Sequence, residues 1–161
     1  MRLALLESGD FNVESKSYEK IMVATDGSRQ VRKAIDAGIE LARLTGAKLY
    51  AVYVIVTAGY SPRDLGWEDS LREFLEAEAK KAVTFVEDTG KAAGIEVEPV
   101  ILEGHPADKI LEFGEQEGID LIIMGTLGRT GLERFLLGSV AEKVVRHSKI
   151  PVMIVKGETA K

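Results

Sequence analysis

The residues best suited to chemistry in this chain are glycines. The apolar run Leu121-Ile-Ile-Met124 leads straight into Gly125-Thr-Leu-Gly128-Arg-Thr-Gly131, and with nine residues between, Gly128 is followed by Gly138-Ser139. Glycine lets a backbone approach phosphate oxygens with no Cβ in the way, and it reaches left-handed angles at little cost. A helix opening at Gly138-Ser139 offers unpaired N–H groups and the positive end of its dipole to an anion. Ser139 adds a hydroxyl donor and Arg129 a charge. Each piece alone has a plainer reading, since a glycine after a strand is commonly a tight turn and Ser139 an ordinary helix cap. Together, on a strand–loop–helix junction, they point to phosphate binding.

A second set lies near the amino terminus, in Ala24-Thr25-Asp26-Gly27-Ser28. An acid at a strand's carboxyl end accepts hydrogen bonds from ribose hydroxyls or holds a magnesium-bound water. Taken alone, Asp26 reads as a helix cap. Other tempting residues have structural readings. His105, Pro106 and Asp108 spell a helix start, with proline at the first helical position and an acid in the first turn. His147 suits a helix carboxyl end. Tyr60 and Trp67 could stack on a base or pack locally. Glu73, Glu76 and Glu78 with Lys80 and Lys81 make a solvated face, its ion pairs contributing a few tenths of a kcal/mol each. The chain has no cysteine and two histidines. Disulfides, thiolate chemistry and Cys-based zinc sites are excluded, and a His-rich metal cluster is unsupported.

The elements that would carry these residues read clearly. With 161 residues, one domain can bury a core without staples. A net charge of -5 argues against a general nucleic-acid binder, leaving only a local basic patch open. The longest apolar run, Leu49 to Val56, is far shorter than the roughly 20 residues that span a bilayer. No small-residue cleavage site follows the short apolar run at the amino terminus, so a soluble, cytoplasmic protein is expected. The runs Ile21–Thr25, Leu49–Val56, Leu121–Met124 and Val152–Val155 lack period-2 alternation, as expected of strands covered on both faces. Glu96–Leu102 alternates, and its Pro99 places it at or near a sheet edge.

Helical spacing marks Val31, Ala34, Ile35, Gly38, Leu41 and Ala42. It marks Leu71, Phe74, Leu75, Ala82, Phe85 and Val86 too, ending near a left-handed Gly94. A third helix runs from Pro106, a fourth from Val140. The alternation predicts an α/β fold with a five-stranded parallel sheet and helices on both faces. Residues 19–157 form the domain, with an amino-terminal extension at 1–18, expected to be a partly ordered arm, and a tail at 158–161. The stretch 57–67 is too long for a minimal turn and reads equally as a lid or a disordered insertion.

The segments IMVATDGS and MGTLGRTGLERFLLGSVAEKVVRHSKIPVMIV resemble the universal stress protein family. The second carries that family's ATP signature, Gly-x2-Gly-x9-Gly-Ser, at Gly125, Gly128, Gly138 and Ser139. The likeness covers residues 20–156 and implies strand order 3-2-1-4-5, an ATP ligand with or without magnesium, and a homodimer. By resemblance, Asp26 contacts the ribose with Ala24 and Thr25 beside it, and Leu49 sits against adenine. Gly125 and Gly128 line the ribose and phosphates, Gly138, Ser139 and the Val140 amide lie at the phosphates, and Met124 and Arg129 complete the nucleotide-binding set. In the implied order the first and fourth strands flank the point where the winding reverses, the expected ligand crevice. Asp26 and Gly125 then converge on one cleft. The departure from the family is residues 1–18, since members usually begin just before the first strand.

Two functions follow from such a cleft: a nucleotide-dependent regulatory switch, or a slow ATP hydrolase or phosphoryl-transfer enzyme. Efficient transfer needs an oriented nucleophile as well as charge stabilisation, and no second acid or base is evident beside Asp26, Arg129, Ser139 and Thr130. No catalytic residue is therefore assigned. A phospho-receiver is excluded because the third strand ends Leu102-Glu103-Gly104, without an aspartate. The Ser-Gly-Gly-x-Asp-Ser and His-x-Gly-His motifs are absent. The last strand, Val152 to Val155, is apolar for an edge strand, which calls for pairing with a symmetry mate or cover from residues 1–18.

Overall fold

The computed structural model describes residues 17–57, 68–126 and 137–157. Five strands alternate with four helices: β1 Lys20–Ala24, α1 Arg32–Thr45, β2 Lys48–Ile55, α2 Glu68–Ala92, β3 Val97–Glu103, α3 Pro106–Glu117, β4 Leu121–Gly125, α4 Ser139–His147 and β5 Val152–Val155. A 3-10 turn, Arg29–Val31, precedes α1. All pairings are parallel, in the order β3-β2-β1-β4-β5. The sheet matches the expected α/β class and strand order, and Pro99 does lie on an edge strand.

Side chains alternate between two cores. Ile21, Val23, Leu49, Ala51, Leu121 and Ile123 pack under α1 and α2. Met22, Tyr50, Val52, Ile122 and Met124 pack under α3 and α4. Strands apolar at every position are what a sheet covered on both faces requires. Each fully buried Ile or Val contributes about 1.5–3 kcal/mol, and Ile21, Ile35, Leu49, Ile122 and Ile123 are buried to within 2%.

Local signals set the helix ends. Gly46, Gly94 and Gly118 adopt left-handed angles just beyond α1, α2 and α3, as C-terminal caps require. His105 is the N-cap of α3, with Pro106 opening the helix and Asp108 in its first turn. Two residues expected inside are not: Phe74 and Phe85 are 60% and 42% exposed. The buried stripe of α2 is instead Ala79, Ala82, Val83 and Val86, and Phe85 lies beneath the Arg32 guanidinium, 5.1 Å away. On β3 only Val97 is buried on the α2 side, while Pro99 and Ile101 are exposed.

The amino end of β1 is pinned from both sides. The Asp120 carboxylate accepts the N–H groups of Glu19 and Lys20 at 2.8 and 2.9 Å, and Lys20 Nζ donates to Glu117 O. Tyr18 packs against the α1–α2 core. Of the expected extension, residues 1–16 lie outside the described residues, as do the tail 158–161 and most of the stretch 57–67.

Candidate functional site

The two central strands part at their carboxyl ends. The β1–β4 ladder pairs Ile21 with Leu121, Met22 with Ile122 and Val23 with Ile123. Beyond those pairs each strand turns to its outer neighbour. Thr25 N–H donates to Val52 O on β2 at 2.9 Å, and Thr126 N–H donates to Val155 O on β5 at 3.2 Å. A crevice therefore opens between β1 and β4 where the winding reverses, the place where open α/β sheets take ligands.

One wall is the loop after β1. Thr25 is buried, and its Oγ1 accepts the Gly27 N–H at 3.1 Å. Asp26 Oδ1 accepts the Ser28 N–H at 2.9 Å. These turns curl the chain, and Gly27 supplies the positive φ of 76° that the curl needs. Asp26 is half-buried. A carboxylate has about four acceptor sites, and the Ser28 bond uses one of them. The capping role that Asp26 would have alone is thus present beside any ligand role. Ser28 heads the 3-10 turn, yet its side chain makes no capping bond. Its Oγ is buried with no partner among the described residues. Leaving such an atom unsatisfied costs about 1–3 kcal/mol.

The other wall is the junction from β4 to α4. Gly138 N–H donates to Thr126 O at 2.7 Å, and the first bond of the helix is Glu142 N–H to Gly138 O at 2.8 Å. The amides of Ser139, Val140 and Ala141 therefore precede the helical ladder. Gly138 is the N-cap, with φ -57° and ψ 152° and no side chain to occupy those amides. Glu142, in the first turn, would oppose an anion, but it pairs along the helix with Arg146 at 2.8 Å.

The structure brings Ala24, Thr25, Asp26, Met124, Gly125, Gly138, Ser139 and Val140 to the same end of the sheet. Met124 is buried in the α3–α4 core, and Ser139 is exposed. Gly128 and Arg129 lie outside the described residues, as do Tyr60 and Trp67. Leu49 does not fit its expected role against adenine. It is 0% exposed, pairs with Ile21 and Val97, and packs under Gly38 at the amino end of β2. Because β2 outruns β1, its residue near the carboxyl tip on the α3–α4 face is Val54, half-buried on the same face as Ala24 and Met124. The position was findable from the rule that ligands meet carboxyl strand ends.

The histidines stay apart from the crevice walls in role: His105 caps α3 and His147 ends α4. Near them, the hydrogen bond from Lys143 Nζ, at 2.7 Å, holds the Asp108 carboxyl below the usual carboxylate range. Among the described residues no group of three or more His, Asp or Glu could hold a metal ion, and no helix is long and apolar enough to cross a membrane.

Residues 17–156 match the universal stress protein family. The chain belongs to that family. A relative in it, the universal stress protein MJ0531 of Methanocaldococcus jannaschii, is 40% identical over 86% of this chain and 82% of its own length. The solved structure of MJ0577, from the same organism, superimposes with a TM-score of 0.80 at 31% identity, covering 90% of this chain and all of that one. A universal stress protein solved in complex with cAMP superimposes with a TM-score of 0.66 at 28% identity, covering 89% of this chain and 100% of its own. The glycine-bearing junction of this universal stress protein thus belongs to a scaffold on which a nucleotide complex is known.

Proposed function

We propose that this protein is an ATP-binding regulatory protein, in which occupancy of the β1–β4 crevice changes conformation or choice of partner. The observation that carries the reading is the crevice itself. The pre-ladder amides of α4 stand on one wall, and the half-buried Asp26 on the other. Anions favour the first for reasons of dipole and donor geometry. Hydroxyl donors favour the second. A nucleotide carries both groups. Gly138, Ser139 and Val140 hold phosphates in this reading, helped by Gly125, Gly128 and Arg129, while Asp26 takes the ribose beside Ala24 and Thr25. Val54 replaces Leu49 as the apolar β2 residue nearest the base, with Met124 on the same face. The cAMP complex of a relative supports an adenine nucleotide. Magnesium would arrive with the phosphates and reach Asp26 through water, since the described residues build no cluster of their own for it.

Turnover has less support. The described walls add only hydroxyls to Asp26, and phosphoryl transfer asks for a positioned base or stabilising charge besides. The protein works in the cytoplasm as a homodimer paired through the β5 edge, Val152 to Val155, in this reading. Mass spectrometry of small molecules that co-purify with the native protein, followed by calorimetric titration with ATP, ADP and AMP, tests it. Saturable binding, tightest for ATP, is expected. A protein that emerges empty and binds none of the three contradicts the proposal.

A further inference from the structure

The end of β5 touches both walls of the crevice. Val155 O accepts the Thr126 N–H, and Thr126 O accepts the Gly138 N–H, so two hydrogen bonds link the strand end to the start of α4. Two residues on, Gly157 lies against the backbone of Gln30, inside the 3-10 turn that continues the Asp26 loop. A Cβ on Gly157 would stand 2.6 Å from the carbonyl oxygen of Gln30 and 3.3 Å from its Cα and carbonyl carbon. No side-chain rotation relieves contact with backbone atoms. Gly157 is not among the residues with positive φ, so it is space rather than dihedral freedom that requires glycine here.

We propose that Gly157 is a positioning residue for the bound nucleotide, acting through Gln30. Val155 to Gly157 forms a short clamp. One end fixes Thr126 and through it the amides of α4, and the other seats the turn that follows Asp26 and Ser28. The clamp sets the spacing between the phosphate side and the ribose side. The inference rests on the crevice being the nucleotide site. A side chain on Gly157 pushes the 3-10 turn outward, moving one wall relative to the other. Hydrogen bonds weaken steeply as they lose alignment, so moving one wall relative to the other lowers affinity.

The test compares Gly157→Ala, Gly157→Val and, as a neighbouring control, Lys156→Ala at an exposed position. ATP affinity is measured by calorimetry, and backbone amide spectra are recorded without nucleotide. Gly157→Ala should weaken ATP about tenfold, as the loss of one hydrogen bond to a charged group would, Gly157→Val should weaken it more, and Lys156→Ala should leave it unchanged. In the nucleotide-free spectra the amides of Gly27, Ser28 and Gln30 should shift in Gly157→Ala. Those of Lys20, Lys48 and Asp120, at the opposite end of the sheet, should stay, whereas general loosening would move both groups. A Gly157→Ala protein that binds ATP as well as the native chain overturns the proposal, and so do loop amides that do not move. Native protein that binds no ATP marks failure of the functional reading instead, and the loop amides then still report whether Gly157 seats the turn.

Discussion

Comparing Ser139→Pro with Ser139→Ala separates the backbone from the side chain at the phosphate wall. Ser139 is the first residue of α4, ahead of the helical ladder, where proline is favoured because its missing donor has no helical partner. The preceding residue, Gly138, sits at φ -57° and ψ 152°, extended as a residue before proline prefers. Ser139→Pro should therefore leave the fold intact or stabilise it by about 0.4–1 kcal/mol through the unfolded state. It removes the amide donor together with the hydroxyl, so the amide's share is what Ser139→Pro loses beyond Ser139→Ala. A hydrogen bond to a charged acceptor contributes about 1.5–3 kcal/mol, which converts to ATP binding weaker by about 10- to 150-fold. Ser139→Ala keeps the amide and loses only the hydroxyl, so it reads the side chain's share alone and should weaken ATP less than Ser139→Pro does. Calorimetric titration with ATP, with thermal melts as the folding control, reads both variants. Native affinity in a folded Ser139→Pro protein would refute the assignment of the α4 amides. Equal losses in the two variants would transfer the role to the hydroxyl.

Other consequences follow from single contacts. Asp26→Ala removes both the ribose acceptor and the Ser28 bond and should weaken ATP about tenfold or more. Asp26→Asn keeps an oxygen for Ser28 and should cost less in the same titration. Gly90→Ala would drive a Cβ into Val97 Cγ2 and to 3.2 Å from Ile95 O, and overpacking of about 1–3 kcal/mol should lower the thermal midpoint despite better helix propensity. Lys143→Met should raise the Asp108 pKa, followed by NMR of its carboxyl carbon, because the Lys143 hydrogen bond is the chief cause of its depression. With its folded pKa lowered, Asp108 adds stability above its unfolded pKa and loses it as pH falls through the folded value. The pair is exposed, so the pKa rather than the melt carries this test. Met153→Arg, on the partly exposed edge strand, should turn a dimer into a monomer by light scattering, and an unchanged mass would point to another interface.

Much of the fold is legible because local chemistry and position agree. Val- and Ile-rich runs mark strands buried on both faces, Pro99 marks an edge, and His105-Pro106 marks the start of α3. Strand order is different. It depends on pairings between residues about a hundred positions apart, such as Ile21 with Leu121, and no local pattern records them, so it came through family resemblance. Phe74 and Phe85 follow helical spacing yet stay exposed, because α2 buries a stripe centred on small residues and Val86. Leu49 lies at the amino end of β2, and because β2 runs past β1 it is Val54 that stands near the carboxyl end. The Gly157 contact has no sequence signal either, since it joins the chain's carboxyl end to residue 30.

The most direct measurement is an amide-resolved NMR titration with ATP. Ser139 and Val140 on one wall, and Gly27 and Ser28 on the other, should shift together with a single saturation curve. Shifts confined to one wall, or none that saturate, would contradict a nucleotide bridging β1 and β4.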